Sequence, residues 1–313
     1  MNLPELMGGD VGRSGATPTL WSDRERQLRK HQRAAMRSVW RRPLTVVGLS
    51  LAVLWTFVAV AAPLIAPQNP LARVAPSFLA PSGAHLFGTD ELGRDELSRV
   101  IYGARVTLPL ALLLVALAAT LGGILGGIAG YLGRWVDEVI MRVADIFFSF
   151  PTIILAMAVA AALGPSLQNA VLAIVVVSWP MYARVVRSLV LGARDTDYVA
   201  ASRLLGASAR RTLTIDILPN IAGPVAVLAL LELGDAVLWL SGLSFLGLGA
   251  QPPTAEWGAM VATGAQEFNR WWLGVFPGLA IVTVVLAFNF IGDSLRDALD
   301  SQTNRVLGRR DRV

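Results

Sequence analysis

Long apolar stretches alternate with short charged segments along this chain. No Asp, Glu, Lys or Arg occurs in 43–72, 106–133, 146–183 or 271–292. A helix needs about 20 apolar residues to cross the hydrocarbon core of a bilayer, where its backbone groups must be satisfied internally. The pattern therefore predicts an all-α polytopic membrane protein.

Six membrane-spanning helices are predicted from this pattern. The run 146–183 is too long for one span, and Gly164-Pro165-Ser166 within it favours a turn. Five or seven spans stay open, because the third and fifth predicted spans contain charged residues. The spans are expected at 44–65, 107–130, 138–162, 170–190, 219–241 and 272–294.

Basic residues predict how these spans are oriented. With the amino terminus inside, 22 of the 27 Lys and Arg residues fall on the inner side and five on the outer side. Basic residues are enriched in cytoplasmic segments, where anionic lipid headgroups also attract them. We therefore expect both termini on the cytoplasmic side of the membrane, with membrane lipid and no nucleic acid as a partner.

The same pattern divides the chain into parts. The part 107–297 is a core of five spans that includes a polar loop at 191–218. The charged stretch 21–42 allows either an amphipathic surface helix or a solvated basic tail. The boundaries are a basic segment at 1–43, the first span at 44–66, an extracytoplasmic loop at 67–106, the core at 107–297 and a cytoplasmic tail at 298–313.

The polar loop 191–218 carries the most informative motif. Small residues at Ala200, Ala201 and Ser202 predict a short helix that fits deep in a groove on a partner. Gly206 can end that helix because it tolerates positive φ, and Pro219 suits the first turn of the fifth span. The residues singled out in this loop and at its end are Asp197, Tyr198, Ala200, Ala201, Ser202, Arg203, Leu204, Gly206, Ala207, Leu218 and Pro219.

A second motif lies in the loop before the second span. Its turn and cap chemistry predicts a folded connection into a helix, with an ion pair between Asp95 and Arg99 one turn apart. A capped helix start would explain the motif without any further role. The motif residues are Gly88, Thr89, Asp90, Gly93, Arg94 and Asp95.

Glycines recur every four residues in the second span. Gly122, Gly126 and Gly130 fall on one helical face, with Gly123 and Gly127 beside them. Small residues let another helix approach closely, so the ladder predicts a tight helix contact.

Asp145, Glu232 and Asp235 are acidic residues within predicted spans. Buried charges in spans are costly and mark candidate functional sites. Glu232 and Asp235 are three residues apart and are expected on one helix face. They could line a route for a peptide amino group or a cation, or pair with groups of a partner subunit.

No metal or nucleotide site is predicted in the chain itself. There are no cysteines, which excludes disulfides and thiolate metal sites. His31 and His85 are far apart in sequence, which argues against a histidine metal cluster. A P-loop requires G-x-x-x-x-G-K-[ST], but the only lysine, Lys30, is followed by His31. The chain is therefore expected to be non-catalytic and to bind no cofactor.

Taken together, the motifs resemble those of the dipeptide, oligopeptide and nickel importer permeases of the ABC transporters, specifically the C-type subunit. The resemblance runs from about Pro43 to Leu299. The matching motifs are Phe87-Gly88-Thr89-Asp90, Gly93-Arg94-Asp95, Phe150-Pro151, Trp179-Pro180, Asp197-Tyr198-Val199, Gly206-Ala207-Ser208, Leu218-Pro219-Asn220, Leu243 to Gly249, Gln251-Pro252-Pro253 and Trp257-Gly258.

The resemblance implies a type I importer permease fold and a heteromeric complex in a bacterial inner or plasma membrane. Its expected partners are a B-type permease subunit, one or two ABC ATPases that use ATP and Mg²⁺, and an extracytoplasmic substrate-binding protein. In that family the segment around 197–206 carries a Glu-Ala-Ala signature and is the coupling helix that docks into an ATPase, which makes the residues listed for the polar loop the expected coupling residues. This chain departs from the signature, with Ala200 in place of Glu and Ser202 in place of Ala, so a possible interfacial ion pair or cap is missing.

The expected function is translocation of short peptides by alternating access. A permease for nickel or another small solute is an alternative within the same family. A stand-alone secondary transporter or channel is a different class, and it should show inverted internal repeats. A membrane scaffold or receptor would fit the Arg-rich termini but not the polar groups within spans.

Overall fold

The protein is described by a computed structural model that covers residues 43–307, with side chains described up to residue 297. The predicted basic segment, including the amphipathic helix considered for 21–42, lies outside the described residues. The predicted tail 298–313 is described only as the helical backbone of 298–307.

Between residues 43 and 307 the regular structure is helical, apart from an isolated bridge between Thr89 and Asp95. This confirms the all-α prediction for the described part of the chain. A helical turn at Ala209–Arg211 and a π-helical stretch at Thr212–Ile217 lead directly into α7. The helices are α1 Pro43–Ile65, α2 Glu96–Leu132, α3 Arg134–Phe148, α4 Thr152–Leu163, α5 Leu167–Arg194, α6 Asp197–Leu204, α7 Leu218–Phe245, α8 Trp257–Gln266 and α9 Trp272–Leu307.

Five of these helical units are long and apolar enough to cross a membrane. They are α1, α2, α5, α9 and the continuous unit Ala209–Phe245 that contains α7. The pair α3 and α4 gives a sixth candidate if it counts as one span. Each predicted span other than the third falls within one of these units.

The third span predicted over 138–162 is not a single straight helix. α3 and α4 meet at an angle of 92° across the break at 149–151. Pro151 explains the break, because it lacks an N–H and its ring clashes with the preceding helical turn. The helix before the break is amphipathic, with Asp137, Glu138 and Arg142 on its polar side.

The glycine ladder of α2 packs against α5, as predicted. A Cβ at Gly126 would meet backbone atoms of Ala183, and a Cβ at Gly130 would lie 3.0 Å from Cβ of Val190. Gly122 likewise faces the backbone of α5 at Trp179. Since later residues of α2 contact later residues of α5, the two helices run parallel at backbone-to-backbone distance.

The helices give the molecule two distinct ends. At one end, which we call the loop end, residues 66–95 and 246–271 connect the helices. There Phe87 stacks on Phe276 near the start of α9, with ring centroids 3.8 Å apart. Trp257 of α8 donates a 2.9 Å hydrogen bond from Nε1 to the carbonyl oxygen of Val100 in α2.

At the opposite end, which we call the short-helix end, residues 191–217 connect α5 to α7. The guanidinium of Arg203 lies 5.2 Å from the ring centroid of Tyr131, at the end of α2. The start of α1 and the later part of α9 meet through a 2.6 Å hydrogen bond between the hydroxyls of Thr45 and Ser294. Because α9 starts at the loop end, this contact also belongs to the short-helix end.

Candidate functional site

The short helix α6 lies on the surface of the short-helix end and is held by one buried side chain. Val199 is fully buried and packs with Val186, Val190 and Ile217. The remaining motif residues of α6 lie at or near the surface. Asp197, Tyr198, Ala200, Ala201, Arg203 and Leu204 are exposed, and Ser202 is half-buried.

Two contacts fasten α6 to the rest of the molecule. The hydroxyl of Ser202 donates a 2.7 Å hydrogen bond to Oδ2 of Asp216, which lies in the π-helical stretch before α7. The Arg203 guanidinium lies over the ring of Tyr131 in α2, a cation–π contact. α6 is therefore attached to both α2 and the segment that opens α7.

The predicted end of this helix is confirmed at Gly206. Its φ is +86°, and the N–H of Ala207 bonds to the carbonyl of Ser202 at 3.1 Å. A side chain at position 206 would be strained by its backbone conformation, even though open space surrounds it. Pro219 is the second residue of α7, after Leu218, where its missing N–H costs little.

The acidic residues singled out in the predicted spans lie in different environments. Asp145 lies on amphipathic α3, where its carboxylate accepts a 2.9 Å hydrogen bond from Arg184. Glu232 is buried in α7, whereas Asp235 one turn later is exposed. A translocation route along Asp145, Glu232 and Asp235 remains a prediction.

A second ion pair at α3 was missed by sequence reasoning. Both side-chain oxygens of Asp137 accept hydrogen bonds from Arg187 of α5, one of them at 2.6 Å. Together with the pair of Asp145 and Arg184, it joins α3 to α5. The signal available in the sequence was a pair of acidic residues followed by two arginines 39 to 50 residues later. The bend after α3 was also needed to bring these side chains together.

The loop-end motif folds into a buried ionic cluster around Asp90. Its Oδ1 accepts hydrogen bonds from the backbone N–H groups of Leu92 and Arg94 at 2.9 and 2.8 Å. Its Oδ2 lies 2.5 Å from Nε of Arg94 and 3.3 Å from Nε of Arg99. Gly88 and Gly93 take φ values of +77° and +75°, which allows the tight turns on either side.

Asp95 caps α2 instead of pairing with Arg99. Its Oδ2 accepts hydrogen bonds from the N–H and hydroxyl of Ser98 at 2.9 and 2.7 Å, and its Oδ1 lies 3.0 Å from Nδ1 of His85. The predicted pair of Asp95 and Arg99 is therefore wrong, because the cap occupies the carboxylate. Thr89 fastens the preceding loop, since its hydroxyl donates to the carbonyl of Pro76 at 2.8 Å and accepts from the N–H of Leu79 at 2.8 Å.

Residues 122–305 match the family model described as the inner membrane component of binding-protein-dependent transport systems. The chain belongs to this family. The matched range contains α6 and Pro219, whereas the Asp90 cluster precedes it.

Similar proteins include several named permeases. The chain is 49% identical over 263 residues to the dipeptide transport system permease protein DppC of Escherichia coli strain K12, covering 82% of this chain and 88% of that protein. It is 43% identical over 274 residues to DppC of Alkalihalophilus pseudofirmus, covering 86% and 89%. It is 44% identical over 261 residues to the di/tripeptide permease DppC of Pseudomonas aeruginosa, covering 81% and 86%.

Among solved structures, inward-facing forms of the MetNI methionine ABC transporter are similar. One matches with a TM-score of 0.47 and 20% identity, covering 61% of this chain and 94% of that chain. A second matches with a TM-score of 0.46 and 21% identity, covering 62% and 94%.

Another buried residue of this inner membrane component was not singled out from the sequence. Glu256 precedes α8, and its carboxylate accepts 3.0 Å hydrogen bonds from the N–H groups of Gly258 and Ala259. Burial raises the pKa of Glu256, while these backbone hydrogen bonds act in the opposite direction. Glutamate is not among the preferred N-cap residues, so local sequence gave little reason to expect this cap.

Proposed function

We propose that this chain is the permease subunit of an ABC importer for short peptides. Partner ATPases would hydrolyse ATP with Mg²⁺, and a binding protein would deliver the peptide. The family membership supports a role in binding-protein-dependent transport. The names of three similar relatives, which refer to dipeptides or di/tripeptides, support peptides as the substrate class.

The observation that carries this proposal is the exposed surface of α6 and its end. Leu204 and Leu205 are each 89% exposed, beside a helix that Val199 anchors to the bundle. Exposed apolar side chains on a short helix favour burial in a groove on another protein. The neighbouring arginines Arg203 and Arg210 are exposed as well, which fits a water-facing protein surface better than the lipid interior.

The small residues of α6 define how the partner would be contacted. Ala200 and Ala201 are exposed and leave no long side chain between the helix and a partner. With alanine at position 200, no carboxylate is available there for an ion pair. We therefore propose that docking depends on shape and on the apolar contacts of Leu204 and Leu205.

We infer that the short-helix end faces the cytoplasm and that the loop end receives the binding protein. Arg194, Arg203, Arg210 and Arg211 cluster at the short-helix end, in agreement with the enrichment of basic residues inside. The ATPases would then lie against α6. A B-type permease would pack beside this chain to complete the pathway.

A displacement of α6 would pass into the bundle through its two attachments. The hydrogen bond from Ser202 to Asp216 leads to α7, and the contact of Arg203 with Tyr131 leads to α2. The role of this chain would be to change the accessibility of the pathway, with no bond made or broken by its own residues.

Substitution of Ala201 by Arg tests the docking surface. The bulky charged side chain should prevent close approach, so co-purification of the ATPases and ATP-dependent peptide uptake should both be lost. Ala72→Arg is the matched control, because Ala72 is exposed at the loop end and should leave ATPase association intact. Normal ATPase association and uptake with Ala201→Arg would refute the docking proposal.

A further inference from the structure

Two motifs that are about 150 residues apart in sequence wall one cavity at the loop end. The cavity has a volume of about 350 Å³. Its walls are Glu91, Arg94 and Arg99, the end of α7 with the turn that follows it as far as Thr254, and the face of α8 that carries Ala259, Ala262 and Gln266. This volume lies within the range of small-molecule sites, about 300–1,000 Å³. The docking of α6 at the opposite end does not explain it.

A buried guanidinium in this cavity has an unused donor. Arg94 is 3% exposed and lines the cavity together with Arg99, which is 6% exposed. Nε of Arg94 pairs with Asp90 and its Nη2 pairs with Glu91 at 3.0 Å, but its Nη1 has no hydrogen-bond partner among the described residues. Leaving a buried donor unpaired is costly. A planar guanidinium fork matches the geometry of a carboxylate.

The cavity also carries a negative charge, which narrows the class of ligand. Glu91 lines the cavity, and its side chain is 38% exposed. Asp90 is already engaged by Arg94 and Arg99, and Glu96 is buried beside Arg99 in a smaller adjoining space. A simple anion would meet the Glu91 carboxylate. A ligand that bears both a carboxylate and an ammonium group would instead complement Arg94 and Glu91 together.

We propose that this cavity binds a short peptide as a zwitterion, with its α-carboxylate at Arg94 and its α-ammonium group toward Glu91. The inference rests on the proposed function, which makes short peptides the transported class. It adds a peptide site within the permease, at the end proposed to receive the binding protein. Its volume of about 350 Å³ is large enough for a dipeptide.

Binding to the complete complex of permeases and ATPases, purified without the binding protein, tests this proposal. Calorimetric titration would compare alanyl-alanine with its C-terminal amide and its N-acetyl derivative. The wild-type complex should bind alanyl-alanine at least about tenfold more tightly than either derivative, because each derivative loses one charged contact.

Three variants relate that preference to the cavity. Arg94→Lys keeps a positive charge beside Asp90 but lacks the fork, and Ala262→Phe fills the cavity without altering the Asp90 cluster. Both should reduce alanyl-alanine binding at least about tenfold. Ala265→Phe is the matched control, because Ala265 lies on the same helix but does not line the cavity; its binding should equal that of the wild type.

Several results would overturn the proposal. These are absence of alanyl-alanine binding, equal binding of the C-terminal amide, or wild-type binding by Ala262→Phe. If the variants weakened only the association of the binding protein, an acidic side chain of that protein would be the carboxylate source, and the peptide site would be refuted.

ATP-dependent uptake by the wild-type complex with its binding protein is measured in parallel. Uptake without direct binding refutes the cavity site alone, whereas absence of uptake refutes the proposed function.

Discussion

Three glycines, whose side chains are single hydrogen atoms, determine how closely α2 and α5 approach. Gly122, Gly126 and Gly130 face the backbone of α5, whereas a Cβ at Gly123 would meet no described atom within 4 Å. Neighbouring glycines on one helix therefore differ sharply in what a methyl group would do. The three glycines that face α5 permit close packing, whereas Gly123 only increases the conformational entropy lost on folding.

Gly126→Ala should destabilise the protein, because the added methyl group would clash with the Ala183 backbone. Overpacking of this kind costs roughly 1–3 kcal/mol. Gly123→Ala is the matched control and should be neutral or stabilising by up to about 1 kcal/mol. Thermal unfolding of the purified variants in detergent measures the difference. Equal unfolding midpoints would contradict the role of Gly126.

Asp90→Asn should also destabilise the protein, because two buried guanidiniums would lose their shared counter-charge. Removing one partner from a buried ion pair costs about 3–5 kcal/mol. Glu138→Gln serves as the comparison. Glu138 is exposed and lies 3.9 Å from exposed Arg142, so that change should cost less than about 1 kcal/mol. The same unfolding measurement applies, and similar losses in both variants would contradict the importance of burial at Asp90.

Residues whose role depends on local backbone geometry could be predicted from the sequence. Gly206 ending α6 and Pro219 opening α7 are examples, because φ preference is a property of the residue itself. The pairing of Arg99 could not be predicted. Asp95 lies one helical turn before Arg99, but the fold of the preceding loop brings Asp90 closer to it. Long-range ion pairs depend on tertiary structure that residue spacing does not contain.

At the scale of elements, the stability of α6 comes from its two attachments more than from its own length. Eight residues are too few for a stable isolated helix. Val199 fixes its depth, while Ser202 and Arg203 fix its orientation toward the π-helical stretch and α2. Under the proposed function, these contacts should transmit the movement of the ATPases.

Tyr131→Leu combined with Asp216→Asn should separate ATP hydrolysis from transport. The double variant removes the aromatic face below Arg203 and weakens the bond to Ser202, but leaves the exposed docking residues unchanged. Peptide uptake per ATP hydrolysed should fall severalfold while ATPase association persists. Tyr102→Leu, at the loop end, is a control for loss of a tyrosine. Unchanged uptake per ATP in the double variant would contradict a role for these attachments.

The apolar pattern predicted most helices but not the break in the third span. Hydrophobic runs record burial or lipid contact, and they do not distinguish a straight helix from two helices joined at a bend. Pro151 was visible in the sequence, yet proline is tolerated within other helices here, such as Pro109 in α2 and Pro180 in α5. The difference lies in the residues before it, since α3 is amphipathic and places its charged residues along one side.

At the scale of the whole molecule, the described ends of the chain share one end of the bundle with α6. The α1 start meets the later part of α9 at Thr45 and Ser294, whereas the Asp90 cluster lies at the other end. The distribution of arginines predicts that the short-helix end is cytoplasmic. The relative placement follows from the structure, and the absolute orientation remains a prediction.

Single-cysteine labelling tests that orientation. The natural sequence has no cysteine, so the unmodified protein is an unlabelled background. Ala84→Cys at the loop end should react with a membrane-impermeant maleimide in intact cells. Ser208→Cys at the short-helix end should react only after permeabilisation. Both parent side chains are exposed. The opposite labelling pattern would reverse the topology and leave α6 unable to meet a cytoplasmic ATPase.

The length of α2 has a consequence for communication across the bilayer. This one helix runs 37 residues, from Glu96 beside the Asp90 cluster to Leu132 beside Tyr131, a distance of about 55 Å at 1.5 Å per residue. The half of α2 that carries the glycine ladder cannot slide along α5 unless the two backbones first move apart. Under the proposed function, tilting of α2 by an ATPase would alter the shape of the cavity proposed to bind the peptide. By thermodynamic reciprocity, a peptide bound in that cavity would in turn change the affinity of the ATPase for its nucleotide.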